Sequence, residues 1–342
     1  MPAYALISEA SITQGLAVLA GHGGRLARAR AAFPHAPEPW LDLSTGINPR
    51  PYPAPRASRV ERGRLPDPEQ TRALEVAAAR AFGCAPDRVL ATPGAEAAIR
   101  LLASTLEVGS VAVAGPTYGG HAEAWRGVGV ATLVVPRAEL AQAAAEVRVL
   151  VNPNNPDGAA TPAAEVVALA QRPGWLIVDE AFGEAAPELS VVGRAGERLV
   201  VLRSFGKFYG LAGVRLGFVL GEPALIERLR TRQGEWPVSA DAIAAGLAAY
   251  ADDGWAVRTR GRLARDAAQL DRLLVAAGFE VIGGTTLFRL ARAFDAADRF
   301  SRLAEQGVLV RPFADAPDRL RFGLPPAAGW RRLQQALMES AL

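Results

Sequence analysis

Between Val89 and Leu220 the chain alternates short, almost wholly apolar runs with stretches whose apolar residues recur at helical spacing. The apolar runs are Val89–Ala91, Val111–Ala114, Ala131–Val135, Val147–Val151, Trp175–Val178, Leu199–Leu202 and Val214–Leu220. The predicted helices are Glu69–Phe82, Ala95–Leu106, His121–Arg126, Glu139–Glu146 and Ala163–Ala170. A strand buried on both faces reads as a continuous apolar run rather than an alternating one. The pattern therefore predicts an α/β fold, a mostly parallel sheet with helices on both faces. Ligands in such sheets bind beyond the carboxyl ends of the strands, and Asn155, Asp179 and Lys207 each follow an apolar run.

The pattern changes near residue 222. Two or three helices are expected from Pro223 to Ala277, then strands at Phe279–Ile282, Thr286–Leu290, Val308–Arg311 and Leu320–Phe322, and a last helix from Trp330. The expected division is an N-terminal arm, 1–60, that packs with the small domain; a large domain, 61–222; and a smaller α+β domain, 223–342. With 342 residues and 50% hydrophobic composition the chain is long enough to give each domain a core. The net charge of +3 is spread along the chain, and no basic block with interleaved aromatics points to nucleic acid. No apolar run is long enough to span a bilayer, and the first residues lack the basic start of a secretion signal. Cys84 is the only cysteine, which fits a reducing compartment, and the expected location is cytoplasmic.

Lys207 is the only lysine. Arginine replaces lysine as a cation, but not where a neutral amine must attack a carbonyl, because guanidinium keeps its proton. Arg203-Ser204-Phe205-Gly206-Lys207 thus reads as an imine-forming lysine with a serine nearby for phosphate, or as a solvated loop. Val178-Asp179-Glu180 sets a carboxylate directly after a buried strand, which is costly without a cationic or protonated partner; a helix cap is the plainer alternative. Gly213-Val214-Arg215-Leu216-Gly217 places an arginine in an apolar, Gly-flanked segment, where partial burial asks for an anion or a structural ion pair. Pro93-Gly94-Ala95-Glu96 opens a helix after a strand, and free N–H groups there bind phosphate. Asn152-Pro153-Asn154-Asn155-Pro156-Asp157-Gly158 is a tight turn at the least, and Tyr118 is placed either to stack on a ring or to pack in the core.

Taken together, NPNNPDG, VDEAF and SFGKFYGLAGVRLGF resemble the fold-type I pyridoxal-5′-phosphate (PLP) enzymes, in their histidinol-phosphate aminotransferase-like branch. The resemblance runs from about His22 to the C-terminal helix. It implies PLP as cofactor and the PLP-dependent transferase fold. Lys207 is then the cofactor's Schiff-base lysine and proton carrier, and Asp179 the partner of the pyridine nitrogen. Asn155 bonds the ring oxygen and Tyr118 stacks on the ring. Gly94, Ala95, Glu96, Ser204 and Arg215 surround the phosphate, the first three largely through backbone. Arg321 is implied to bind the substrate carboxylate. The resemblance also implies a homodimer. Two departures stand out: Phe182 where the family commonly has a tyrosine, and Leu65 in Leu-Pro-Asp-Pro where it often has one that reaches the neighbouring subunit's cofactor.

Gly21-His22-Gly23-Gly24 followed by Leu41-Asp42-Leu43-Ser44-Thr45-Gly46-Ile47-Asn48-Pro49 is similar to the start of threonine-phosphate decarboxylases of cobalamin biosynthesis. That similarity implies decarboxylation of L-threonine O-3-phosphate to (R)-1-amino-2-propanol phosphate. His22, Gly23, Asn48 and arginines of the arm are the candidates for the substrate phosphate. No metal is implied. The alternatives are an aminotransferase using 2-oxoglutarate, a PLP-fold protein that binds without turnover, and a nicotinamide oxidoreductase. The last lacks a G-x-G-x-x-G fingerprint in the first βα unit.

Overall fold

The structure is a computed structural model that describes Leu19, Gly21, residues 23–194 and residues 196–340. The chain forms two compact units. Of the described residues, the smaller joins those up to Pro49 with those from Gly261 onward, and the larger takes those of Arg50–Arg260.

In chain order the smaller unit opens with α1 (Leu26–Ala32) and β1 (Leu41–Asp42). The larger follows with α2 (Arg59–Arg62), α3 (Pro68–Phe82), β2 (Val89–Thr92), α4 (Ala95–Thr105), β3 (Ser110–Gly115), α5 (Gly120–Gly127), β4 (Ala131–Pro136) and β5 (Val147–Val151). Then come α6 (Ala163–Ala170), β6 (Trp175–Glu180), β7 (Leu199–Ser204), α7 (Phe205–Phe208), β8 (Gly217–Leu220), α8 (Pro223–Gln233) and α9 (Ala240–Tyr250). After α10 (Asp253–Ala276) the smaller unit resumes with β9 (Glu280–Thr285), β10 (Phe288–Arg292), α11 (Ala296–Glu305), β11 (Val308–Leu309), β12 (Arg311–Pro312), β13 (Arg319–Gly323) and α12 (Trp330–Ser340).

The larger unit is built on a seven-stranded sheet of order β2-β8-β7-β6-β5-β3-β4. Strands β4, β3, β5, β6 and β7 run parallel, while β8 is antiparallel to both of its neighbours. The strands β5 and β8 are buried along their whole length, which is why they read as unbroken apolar runs. Ile99 and Leu102 of α4, Trp125 of α5, and Leu225, Ile226 and Leu229 of α8 pack with Val113, Val149, Ile177, Leu202 and Val219 of the strands. α3 starts with a capping box, Asp67 accepting from Glu69 N while the Gln70 side chain returns to the Asp67 backbone, and ends at Gly83 in the left-handed conformation.

Four expectations change in detail. The helices Pro223–Gln233 and Ala240–Tyr250, assigned from sequence to the small domain, lie in the larger unit, because their apolar faces complete its core. The expected helix at Glu139–Glu146 is instead a 3₁₀ segment, Arg137–Gln142, and the strand expected from Val214 begins at Gly217. Arg50 to residue 60 belongs with the larger unit: Tyr52 N donates to Tyr209 O (2.8 Å), and Ala57 N to Asp241 Oδ1 (2.8 Å).

In the smaller unit β1 pairs in parallel with β11, and an antiparallel sheet has the order β12-β13-β10-β9. The segment after β1 is tied to that sheet, Gly323 N donating to Leu43 O at 2.7 Å. Helix α11, not anticipated from the sequence, buries Phe300, Leu303 and Ala304. No helix among the described residues is long and apolar enough to cross a membrane.

Candidate active site

The carboxyl ends of β5, β6 and β7 converge on a cavity of about 180 Å³ in the larger unit. Asn155, Asp179, Phe182, Ser204 and Lys207 line it, with Ala95, Glu96, Tyr118 and Arg215. Lys207 is the third residue of α7, whose start follows β7 directly and turns the chain back over the strand ends.

Asp179 is only 4% exposed, so its charge must be answered locally. Its Oδ1 accepts from Ala181 N (2.8 Å), and its Oδ2 lies 2.8 Å from His121 Nε2. With the carboxylate ionised, the imidazole Nε2–H is the donor. His121, 1% exposed near the start of α5, has no role in the sequence reading. Its signal was a histidine three residues after Tyr118, but nothing local in the sequence links it to a carboxylate 58 positions away.

Another part of the lining is suited to an anion. α4 begins at Ala95 with Gly94 as its N-cap and without a side-chain capping bond, so its first N–H groups are left for a ligand. Gly94 has φ of 95°, and a Cβ at this position would come within 2.8 Å of Arg215 Nη2. The positive φ, which side-chain-bearing residues rarely adopt, is what calls for glycine here. Arg215 itself has left-handed backbone, φ 57° and ψ 57°, in the turn that leads into β8. Its side chain is exposed rather than partly buried as expected, because it leaves from this turn and not from a strand. Such backbone in a non-glycine residue is strained and collects at functional positions.

The Asn/Pro loop after β5 is held from several sides. Asn154 Oδ1 accepts from Thr117 Oγ1 (2.6 Å), and its Nδ2 donates to Pro116 O (3.0 Å) and Asp157 Oδ1 (2.8 Å). Arg137 donates to Val151 O and Asn152 Oδ1, both at 3.1 Å, and to Thr161 Oγ1 at 2.8 Å. These bonds fix the loop that carries Asn155 to the cavity. Phe182 packs as an apolar residue, 4% exposed.

Arg321 lies on β13 of the smaller unit, 4% exposed. Its Nη2 donates to Ser44 O (2.7 Å), and its guanidinium carbon sits 5.1 Å from the centre of the Phe288 ring. Arg311 on β12 is its cross-strand neighbour. Burial first, and the Arg311 charge second, push Arg321 down to about 9. A guanidinium nevertheless holds its proton at neutral pH. Arg311 has no role in the sequence reading, because only the register reveals the pairing. Ser44 is a hub: Gly24 N donates to its Oγ (2.8 Å), and a Cβ on Gly23 would meet its carbonyl oxygen. Asn48 is buried and accepts from Arg262 Nη2 at 3.4 Å. The expected His22 contact lies outside the described residues.

With this geometry in hand, the comparisons with known proteins are specific. Residues 39–337 match the family described as aminotransferase class I and II. The chain belongs to the aminotransferase class I and II family. Within it, the chain is 42% identical over 332 residues to a threonine-phosphate decarboxylase of a Sinorhizobium species, covering 94% of this chain and 98% of the relative. It is 39% identical over 325 residues to the threonine-phosphate decarboxylase of Pseudomonas aeruginosa, covering 93% and 97%. The fold is that of the Sinorhizobium meliloti histidinol-phosphate aminotransferase solved with pyridoxal-5′-phosphate: TM-score 0.76 at 21% identity, over 99% of this chain and 95% of that one.

Proposed function

We propose that this member of the family is a PLP-dependent decarboxylase. It converts L-threonine O-3-phosphate to (R)-1-amino-2-propanol phosphate, for cobalamin biosynthesis. The observation that carries the reading is the match along almost the whole chain to two proteins of that name.

The residues of the cavity fit the cofactor. An amine, a buried carboxylate, and an anion cradle made of an uncapped helix start, Ser204 and Arg215 line one cavity. When bound, PLP supplies a protonated ring that withdraws the electron pair left at Cα. Asp179, backed by His121, holds the proton on the ring nitrogen. Tyr118 would stack on the ring, Asn155 would donate to the ring oxygen, and the cradle would take the phosphate. Lys207 Nζ would hold the cofactor covalently until the substrate's amino group displaces it, and as a free amine would then return a proton to Cα. In the substrate the bond from Cα to the carboxylate breaks, CO₂ leaves, and a Cα–H bond forms. A substrate with both a carboxylate and a phosphate needs more positive charge than a simple amino acid. Arg321 is assigned to the substrate's carboxylate, and His22, Gly23 and Asn48 to its phosphate.

Amino transfer would use the same lysine and carboxylate but break Cα–H, so product analysis separates the two. The PLP-loaded protein is given L-threonine O-3-phosphate with and without 2-oxoglutarate. CO₂ and aminopropanol phosphate released without the oxo acid are the expected result. Turnover only of another amino donor, and only with the oxo acid, would assign an aminotransferase.

We further read the protein as a cytoplasmic homodimer. Leu65 and Trp236 are 66% and 49% exposed, and Trp236 borders a surface hollow of about 390 Å³ with Pro66 and Pro237. Trp236 also has φ of 58°, costly for a bulky side chain and in keeping with a position fixed by a neighbour.

A further inference from the structure

Glu96 stands second in α4, at the mouth of the anion cradle, where a carboxylate is out of place beside a phosphate. Its side chain is turned to other partners. Oε1 accepts from Arg100 Nε (2.8 Å), one helical turn on, and Oε2 accepts from the Tyr118 hydroxyl (3.0 Å). The space beside this pair is kept clear by Gly120. A Cβ there would come within 2.4 Å of Tyr118 Cε1 and 2.9 Å of Glu96 Oε2. Across the ring, Tyr118 meets the His121 imidazole edge to face, with centroids 6.2 Å apart and an interplanar angle of 87°.

We infer that Glu96 is a positioning residue: through the Tyr118 hydroxyl it fixes the aromatic ring that covers the cofactor, and so couples ring placement to the helix start that holds the phosphate. The inference rests on the cofactor reading above. It gives the side chain of Glu96 a task separate from its backbone N–H. A glutamate in a first helical turn also favours the helix dipole, and its bridge to Arg100 supports α4 locally. Those two effects involve α4 alone and do not depend on whether residue 118 carries a hydroxyl. Burial first, and then Glu96, hold the Tyr118 phenol above its ordinary range, so the donor persists where an exposed tyrosine would ionise.

The test is a double-mutant cycle on the holoenzyme, reading the PLP dissociation constant and the visible circular dichroism of the bound cofactor. Glu96→Ala and Tyr118→Phe are each expected to weaken PLP about three- to tenfold, the scale of one hydrogen bond to a charged group partly screened by solvent, and to alter the dichroism alike. The double variant should be no worse than either single one, because the same bond is already lost. Glu96→Gln keeps an acceptor and should restore both readouts. Multiplicative losses in the double variant, or an unchanged dissociation constant in Glu96→Ala, would overturn the inference. Lys207→Ala separates this from the parent reading. A visible band that depends on Lys207, together with independent losses at positions 96 and 118, removes only the positioning role of Glu96. A band that survives Lys207→Ala, or no band in the wild type, removes the cofactor assignment and that role with it.

Discussion

Lys207 is the only lysine and stands in the cavity with Asp179, so its chemistry can be isolated by substitution. Lys207→Ala should abolish the visible absorption that appears when PLP is added. Lys207→Arg should not restore it, because a guanidinium does not offer a neutral nitrogen. Asp179 and His121 are separable in the same way. Asp179→Ala should lower turnover by about 10²–10³-fold, the scale of a lost electrostatic contact to developing charge. His121→Ala removes one donor from a buried carboxylate and should cost roughly tenfold. Steady-state rates at saturating PLP check both, and near-normal turnover in Asp179→Ala would mean that the ring nitrogen has another partner. At this scale the sequence is readable where a polar residue that lines the cavity follows a strand directly, as with Asp179 and Lys207. It is opaque where a residue matters through a partner distant in the chain, as with His121. Arg311 was hidden for a related reason, since nothing but the pairing of β12 with β13 sets it against Arg321.

The ends of β6 and β7 are joined beneath the cavity by buried charge. Glu180 and Arg203 are register partners, with Arg203 Nη2 3.1 Å from Glu180 Oε2. Ser190 Oγ donates to Glu180 Oε2 (2.8 Å) and accepts from Arg203 Nη2 (2.9 Å). Each residue adjoins one that faces the cavity, Asp179 before Glu180 and Ser204 after Arg203. Arg203→Met leaves buried carboxylates without their cation and should destabilise the protein by about 3–5 kcal/mol, measured by denaturant unfolding. Glu184, 5% exposed and with Oε2 3.6 Å from Arg203 Nη1, is held above the ordinary carboxylate range by burial, which the Arg203 charge opposes. The folded protein therefore binds this proton more tightly than the unfolded chain. Stability from this group is full below the unfolded carboxylate pKa and falls as pH rises through the window above it. Glu184→Gln should remove that fall, so that the variant gains on the wild type between pH 4.5 and neutrality. A constant difference across that window would show that Glu184 stays ionised. Among the elements, the buried strands were plain in the sequence because nothing but a two-faced core tolerates such runs. Helix α11 escaped notice because its apolar positions, Ala296, Phe300, Leu303 and Ala304, are few and lie between charged residues.

For the whole molecule, the assignment of α8 and α9 was the hardest to read. An amphipathic face specifies burial but not against which sheet, and both helices follow the last strand of the larger sheet at a point where the chain pattern changes. The proposed dimer is tested at this scale. Trp236→Glu combined with Leu65→Glu should shift the mass measured by light scattering from two chains toward one, as charge buried in an interface core is unfavourable. A mass of one chain for the wild type would exclude the dimer.

The place of β8 in the sheet has a consequence for how the protein is made. β2 is the first strand of the sheet to leave the ribosome, yet among the sheet strands its only neighbour is β8, the last. Until Leu220 has been synthesised, the apolar residues Val89, Leu90 and Ala91 have no strand to pair with. A long wait with an open strand edge exposes a nascent chain to association with others. Truncated or slowly translated forms ending before β8 should therefore be the aggregation-prone ones, and closure of the edge by β8 also brings Arg215 to the cradle.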